Sequence, residues 1–390
     1  MRDVVHVKDV GKILRWWAAA MLLATRLVSA QASAPAARPP VPIRSPEITT
    51  DSRVTFRLRA PNAHQVVVDG DVGRVPMNRD GQGGGLWTGT TEPLDADIYQ
   101  YRFFVDSVAY LDPSNALIKP NLLTPSSVVH VRGAASLPWE ISGAPRGVVH
   151  RHFYASGVVG DERDYYVYTP PGYDQSASRR YPVLYLLHGF SDGADGWTSP
   201  VGRANVILDN LIAQGKATPM LVVMPLGYGT PDMLASGAPG TFRPPALRER
   251  NAKKFGEALL TELIPRVERD YRVATDAGSR AIAGLSMGGF EALYVGLNNP
   301  DRFAWIGGFS SAMFDEAPAS LSELSESANA KLRLLWIACG TDDSLIGANR
   351  KFREWLTTKH VRHVAVETPG VHNWLVWRRN LASFAPLLFR

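Results

Sequence analysis

The chain has 390 residues, 45% hydrophobic and 20% charged, with 42 basic and 37 acidic side chains and one cysteine. That length buries a large core without help from metals, and a single cysteine excludes an intrachain disulfide. Five of the basic and two of the acidic residues fall in positions 1–30, so the remainder is nearly balanced, 37 against 35, with no basic patch suited to a nucleic-acid partner.

Residues 1–30 read as a secretory signal. Arg2, Lys8, Lys12 and Arg15 precede an apolar run over 16–25, and Val28-Ser29-Ala30 supplies small residues for cleavage. The run is too short for a permanent membrane anchor, so a periplasmic or secreted location is expected. Residues 31–45, rich in Ala and Pro, read as an extended linker.

From Pro46 the pattern changes. Residues 54–60, 65–69 and 99–105 alternate at period two, with turn residues at Pro61-Asn62, Asp69-Gly70-Asp71 and 80–85 between them. Short strands at this spacing predict a small immunoglobulin-like β-sandwich over 46–132. A Pro/Gly-containing linker over 133–146 then predicts that the remainder, 147–390, folds on its own from about Ala144.

That remainder opens with an antiparallel pair at 148–155 and 164–169. Strands at 183–187, 221–224, 281–284, 305–308, 334–339 and 364–367 then alternate with helices near 203–214, 251–268, 287–298, 346–359 and 376–388. The alternation predicts an α/β domain with a mostly parallel sheet and helices on both faces. Cys339 falls inside a strand and reads as a small buried residue.

Between the strand at 281–284 and the helix at 287–298 stands Gly284-Leu285-Ser286-Met287-Gly288. Strand, sharp turn with serine at its tip, then helix is the setting of a nucleophile elbow. Side chains at the flanking glycines would collide with neighbouring elements, and the turn pushes the hydroxyl out at the carboxyl edge of the sheet. A second match, Gly189-Phe190-Ser191-Asp192-Gly193, is followed by turn composition rather than an apolar helix, so Ser286 is the nucleophile candidate.

A serine hydroxyl needs a base, and the base needs a carboxylate to orient it. On an elbow of this kind the chain order is Ser, acid, His. Asp342 and Asp343 follow the strand at 334–339, and spacing does not choose between them. His372 follows the last strand. His360 and His363 lie at the opposite edge of the sheet, and His150 and His152 lie in an early strand, so these four read as structural. Two N–H donors are needed for the oxyanion. Met287, directly after the nucleophile, offers one, and Phe190, in the loop after the strand at 183–187, the other. His188 reads as a support for that loop. No metal-ligand spacing and no complete phosphate loop are present, so neither a metal nor a cofactor is expected. Trp197, Tyr228 and Trp374, with Trp377, are the candidate substrate-binding aromatics. Residues 228–250, rich in Gly and Pro, read as a substrate loop or lid.

The stretch from Asn251 to Met313 resembles the esterase D and enterochelin-esterase-like branch of the α/β-hydrolases. Carrying residues are Glu262-Leu263-Ile264-Pro265, Tyr271-Arg272-Val273, Ala281 to Gly289, Gly296-Leu297-Asn298-Asn299-Pro300 and Gly307-Gly308-Phe309-Ser310. The resemblance extends to Tyr168 to Tyr173, Leu186-Leu187-His188-Gly189, Gly340-Thr341-Asp342-Asp343 and His372-Asn373-Trp374, and so spans 147–390. Within the branch the chain looks most similar to bacterial feruloyl esterases, and that resemblance assigns the acid to Asp343. Residues 46–132, through Phe56 to Ala63 and Asp112-Pro113-Ser114-Asn115, resemble the carbohydrate-module-like sandwiches that precede many such esterases. Asn373 stands where many relatives carry an acidic residue. The resemblance implies a serine ester hydrolase with a Ser286–His372–Asp343 triad and a covalent acyl-enzyme. Its substrate would be a small or polysaccharide-linked ester, feruloyl first, with glycan contact through 46–132. Acetyl-xylan or siderophore esters, or acyl transfer, are the alternatives.

Overall fold

The computed structural model describes residues 42–81, 84–175, 177–235, 243–313 and 319–390. The expected signal at 1–30 and most of the linker at 31–45 lie outside them. Residues 44–390 form one compact unit.

The first ten strands build two antiparallel sheets. One has the order β1 (Glu47–Ile48), β2 (Val54–Arg59), β6 (Leu86–Thr90), β5 (Asn78–Arg79). The other runs β4 (Val75–Pro76), β3 (Val66–Gly70), β7 (Asp97–Val105), β10 (Ser126–Val131), β9 (Ile118–Lys119), with β8 (Val108–Tyr110) paired to β7. Phe56 and Leu58 from one sheet meet Tyr99, Tyr101, Phe103 and Val129 from the other, forming the core. Alternation along β7 sends Ile98, Gln100, Arg102 and Phe104 to the opposite face. Ile98 and Val128 on that face are not solvated: they join the core of the following domain with Trp197, Trp374 and Leu381.

The eight-stranded sheet has the order β11 (Val148–Ser156), β12 (Asp161–Thr169), β14 (Leu221–Pro225), β13 (Val183–Leu187), β15 (Arg280–Leu285), β16 (Trp305–Phe309), β17 (Leu334–Gly340), β18 (Val364–Thr368). β11, β12 and β14 pair antiparallel and the rest are parallel. The central strands are buried on both faces and read as continuous apolar runs, as a helix-covered parallel sheet requires. The helices are α1 (Ala204–Ala213), α2 (Pro245–Ala258), α3 (Ile264–Asp270), α4 (Ser286–Asn298), α5 (Ile346–Thr358) and α6 (Trp374–Phe384).

Helix α2 begins six residues before the expected 251, because Pro245 takes the first helical position, where its missing N–H is no loss. The single helix expected over 251–268 is divided by a π turn at Leu259–Leu263, directly before Pro265, which has no N–H to give to the preceding turn. Residues 232–235 of the expected lid form one helical turn, and 236–242 lie outside the described residues.

The sandwich and the larger sheet meet through buried charge. Asp97 and Arg378 of α6 are both fully buried and paired, and Arg379 adds a 2.6 Å bond to the same carboxylate. Lys119 of β9 is buried against Asp192 in the loop after β13. Contacts of this kind bear directly on the expectation that 147–390 folds on its own.

Candidate functional site

The elbow forms as the motif predicts. Ser286 has φ +52° at the junction of β15 and α4. A Cβ at Gly284 would lie 2.3 Å from the Gly288 carbonyl oxygen, and one at Gly288 would lie 2.3 Å from that of His188. Only glycine fits either place, because the backbone itself blocks a side chain there.

His372 Nε2 lies 3.0 Å from Ser286 Oγ, and His372 Nδ1 lies 2.8 Å from Asp343 Oδ2. The geometry separates the two aspartates that spacing left open. Asp343 is buried and accepts from the Leu345 N–H at 2.8 Å, whereas Asp342 is exposed and accepts from its neighbour Thr341 Oγ1. Burial works against the Asp343 charge, but the His372 hydrogen bond and charge, together with the bonds from the Leu345 N–H and Ser310, outweigh it and hold its carboxyl below the ordinary aspartate range. With Nδ1–H donated to a carboxylate, Nε2 is left free to accept the serine proton. Asp343→Asn should therefore lower ester turnover far more than Asp342→Asn, because only residue 343 fixes the His372 tautomer. Steady-state kinetics of the two variants checks the ranking, and a reversed order would move the role to Asp342.

Of the other histidines, His188 is buried in the loop after β13. Its Nδ1–H donates to the Gly189 carbonyl at 2.7 Å and its Nε2 accepts the Gly227 N–H at 2.8 Å. Both ring nitrogens are thus committed to backbone, and burial pushes its pKa down, so it is a neutral brace for the loop. His150 meets Thr169, His152 meets Tyr271, and His363 meets the Val361 carbonyl. Ser191 also has positive φ, but its hydroxyl accepts from Asn121 of the sandwich at 3.0 Å. Burial pushes the Cys339 thiol up to about 12, leaving it inert.

Phe190 and Met287 face a cavity of about 300 Å³ together with Ser286, His372, Leu285, Phe290, Ala312 and Trp377. Met287 stands in the first turn of α4, where helical N–H groups have no acceptor inside the helix. The cavity walls are mainly apolar, with Arg243, Arg248 and Asn251 at one side.

Two of the aromatic assignments, Trp197 and Tyr228, need correction. Trp197 is fully buried, donates to the Leu187 carbonyl at 2.9 Å and packs edge-on to Trp374, so it is core. Tyr228 is buried beside His188, its hydroxyl bonded to the Asp192 carbonyl, and is not among the cavity walls. Trp374 is 2% exposed and borders not the cavity at Ser286 but a neighbouring groove. Trp377 is the aromatic beside His372, edge-on to its ring at 4.9 Å.

The roles of two residues were not read from sequence. Glu291, fully buried on α4 one turn beyond Met287, accepts from Asn251 Nδ2 at 2.7 Å. Burial raises its pKa well above that of an ordinary glutamate. A carboxyl inside the apolar run Phe290-Glu291-Ala292-Leu293 was the available signal. The second is Asn373, which accepts the Val376 N–H as the cap of α6 and donates to Asp71 of the sandwich at 3.0 Å. An acid at 373 would face the Asp71 carboxylate, so asparagine suits this partner.

Residues 156–387 match the family model described as "Putative esterase". The chain belongs to this esterase family. It is 29% identical over 353 residues to an endo-1,4-beta-xylanase/feruloyl esterase of Xylanibacter ruminicola, covering 88% of this chain and 46% of that protein. It is 30% identical over 168 residues to an esterase of Mycobacterium tuberculosis, covering 43% of this chain and 32% of that one. The chain thus spans less than half the length of these two curated relatives. Among solved structures, a ferulic acid esterase is 28% identical with a TM-score of 0.53, covering 62% of this chain and 97% of its own. The enterobactin esterase of Shigella flexneri is 20% identical with a TM-score of 0.64 and covers 86% of this chain and 92% of its own, so the likeness in fold takes in most of the sandwich. These neighbours bear out the expected α/β-hydrolase preceded by an all-β domain.

Proposed function

We propose that this chain is a serine carboxylic-ester hydrolase that removes hydroxycinnamoyl groups, feruloyl first, from plant polysaccharide. The observation that carries the reading is the hydrogen-bonded series from Ser286 Oγ through His372 to buried Asp343 at the wall of an apolar cavity. Ser286 Oγ attacks the ester carbonyl as its proton passes to His372 Nε2, and the Phe190 and Met287 N–H groups receive the oxyanion. Collapse expels the alcohol, which takes the proton from His372 and leaves an acyl-Ser286 ester. Water, deprotonated by His372, then releases the acid. The apolar walls suit a flat aromatic acyl group, and the family and the feruloyl-esterase relatives support that choice. Export fits the reading, since the polymer lies outside the cell.

A hydrolysis panel of methyl ferulate, acetylated xylan and a catecholate siderophore tests the acyl preference. The feruloyl ester should have the highest kcat/KM, and preference for either other substrate would replace it. EDTA should leave the rate unchanged. Among the described residues no group of three or more His, Cys, Asp or Glu is arranged to hold a metal, and loss of activity restored by a divalent ion would require a new mechanism. No described helix is long and apolar enough to cross a membrane.

A further inference from the structure

A second groove, of about 420 Å³, adjoins the catalytic cavity. The two share Phe190, Asp192, His372 and Trp377, so the groove opens on the other side of the catalytic histidine. Its far wall belongs to the sandwich. The even-numbered residues of β7 point there by strand alternation, and Gln100 and Arg102 line it with Asp69, which stands directly opposite Arg102 on β3.

The chemistry of this wall differs from that of the catalytic cavity. Lys119 is paired with Asp192, Asp69 with Arg74, and Asn121 bonds Ser191 and Asp192. The Gln100 amide reaches Asp71 and its carbonyl oxygen accepts from Ser126. The half-buried Arg102 guanidinium, by contrast, lies over the Phe104 ring at 5.6 Å and has no hydrogen bond among the described residues. The charges lining the groove are of both signs, Lys119 and Arg102 against Asp69, Asp71 and Asp192, which disfavours a strongly charged ligand. A fork of unused donors beside aromatic surface suits a neutral polyhydroxylated one.

We propose that this groove is the subsite for the alcohol half of the ester, that its ligand is a sugar, and that Arg102 is its principal hydrogen-bond donor. The inference rests on the ester-hydrolase reading, because it takes His372 as the group that returns the proton to the departing alcohol. The leaving oxygen must lie near His372 Nε2, so a bulky alcohol beyond it needs room on that side. The sandwich then acts as one wall of the active site rather than as a remote anchor.

The test compares methyl and arabinoxylo-oligosaccharide esters of the same acid, chosen from the panel. Relative to the full-length wild-type chain, Arg102→Ala should lower kcat/KM for the sugar ester about tenfold more than for the methyl ester, chiefly through KM, as expected for one lost charged hydrogen bond. Arg102→Gln, which keeps the length and some donors, should fall between. Equal losses on both esters, or none, overturn the proposal. A second measurement does not depend on turnover. The unesterified oligosaccharide should bind Ser286→Ala in the millimolar range by calorimetry, and more weakly once Arg102→Ala is added. Failure of the sugar to bind overturns the subsite while leaving the hydrolase reading intact. An absence of activity on every ester, with sugar binding retained, removes the hydrolase reading instead.

Discussion

Ser286→Ala should lower ester hydrolysis by roughly a thousandfold or more while leaving the fold intact, and His372→Ala should do the same. The two act as one proton-transfer unit, joined by a 3.0 Å contact, so either loss stops the same step. The double variant should be little worse than either single one, because the remaining catalysis comes from the N–H donors and from substrate binding. Ser191→Ala is the informative control. It shares the G-x-S-x-G pattern, but its hydroxyl is engaged by Asn121, so turnover should stay near normal. Circular dichroism and melting temperature establish that each variant is folded, and initial rates on methyl ferulate decide the outcome. Near-normal turnover by folded Ser286→Ala would sink the triad.

The second large effect is on stability. Asp97→Ala should cost about 3–5 kcal/mol, the usual consequence of leaving a buried ion without its partner. Asp97 and Arg378 are both fully buried, and the other acceptors of Arg378 among the described residues are the carbonyls of Val201 and Ile98. A chain beginning near Ala144 should suffer more. It lacks Asp97, exposes the cluster that Ile98 and Val128 complete, and frees Asp192 from Lys119. We therefore expect it to be poorly soluble or to melt well below the full chain, the reverse of what its linker composition predicts. Urea denaturation of Asp97→Ala and of the shortened chain checks this. A midpoint equal to the parent's in both would show that the sandwich is energetically dispensable.

The contrast shows what a single sequence can carry. The elbow was legible because its chemistry is local: two glycines, a serine, and a strand and helix on either side satisfy one steric requirement within a few residues. The central strands of the parallel sheet were equally legible, since burial on both faces makes each a continuous apolar run. The choice between Asp342 and Asp343 was not local, because adjacent residues differ only in the direction they face after the strand ends. The role of Trp197 was misread for a related reason. An aromatic near a motif does not reveal whether it faces a cavity or the core, and the Leu187 carbonyl settles that only in three dimensions. Asp97, Lys119 and Asp71 were least accessible. Each reads as an ordinary polar residue of a β-domain, and its partner lies far away in sequence.

The Asp97–Arg378 bond spans 281 positions of the chain. Closing so long a loop is slow, because chain entropy opposes it until the contacts on both sides exist. Helix α6 holds that arginine, and its cap, Asn373, directly follows His372 and reaches Asp71. The His372 loop is thus held on its C-terminal side by contacts that form only once the β-domain has folded and the final helix has docked on it. During refolding, sheet formation should precede the recovery of activity, with a measurable lag between them. An enzyme assembled in this order hydrolyses nothing until its two most distant halves have met.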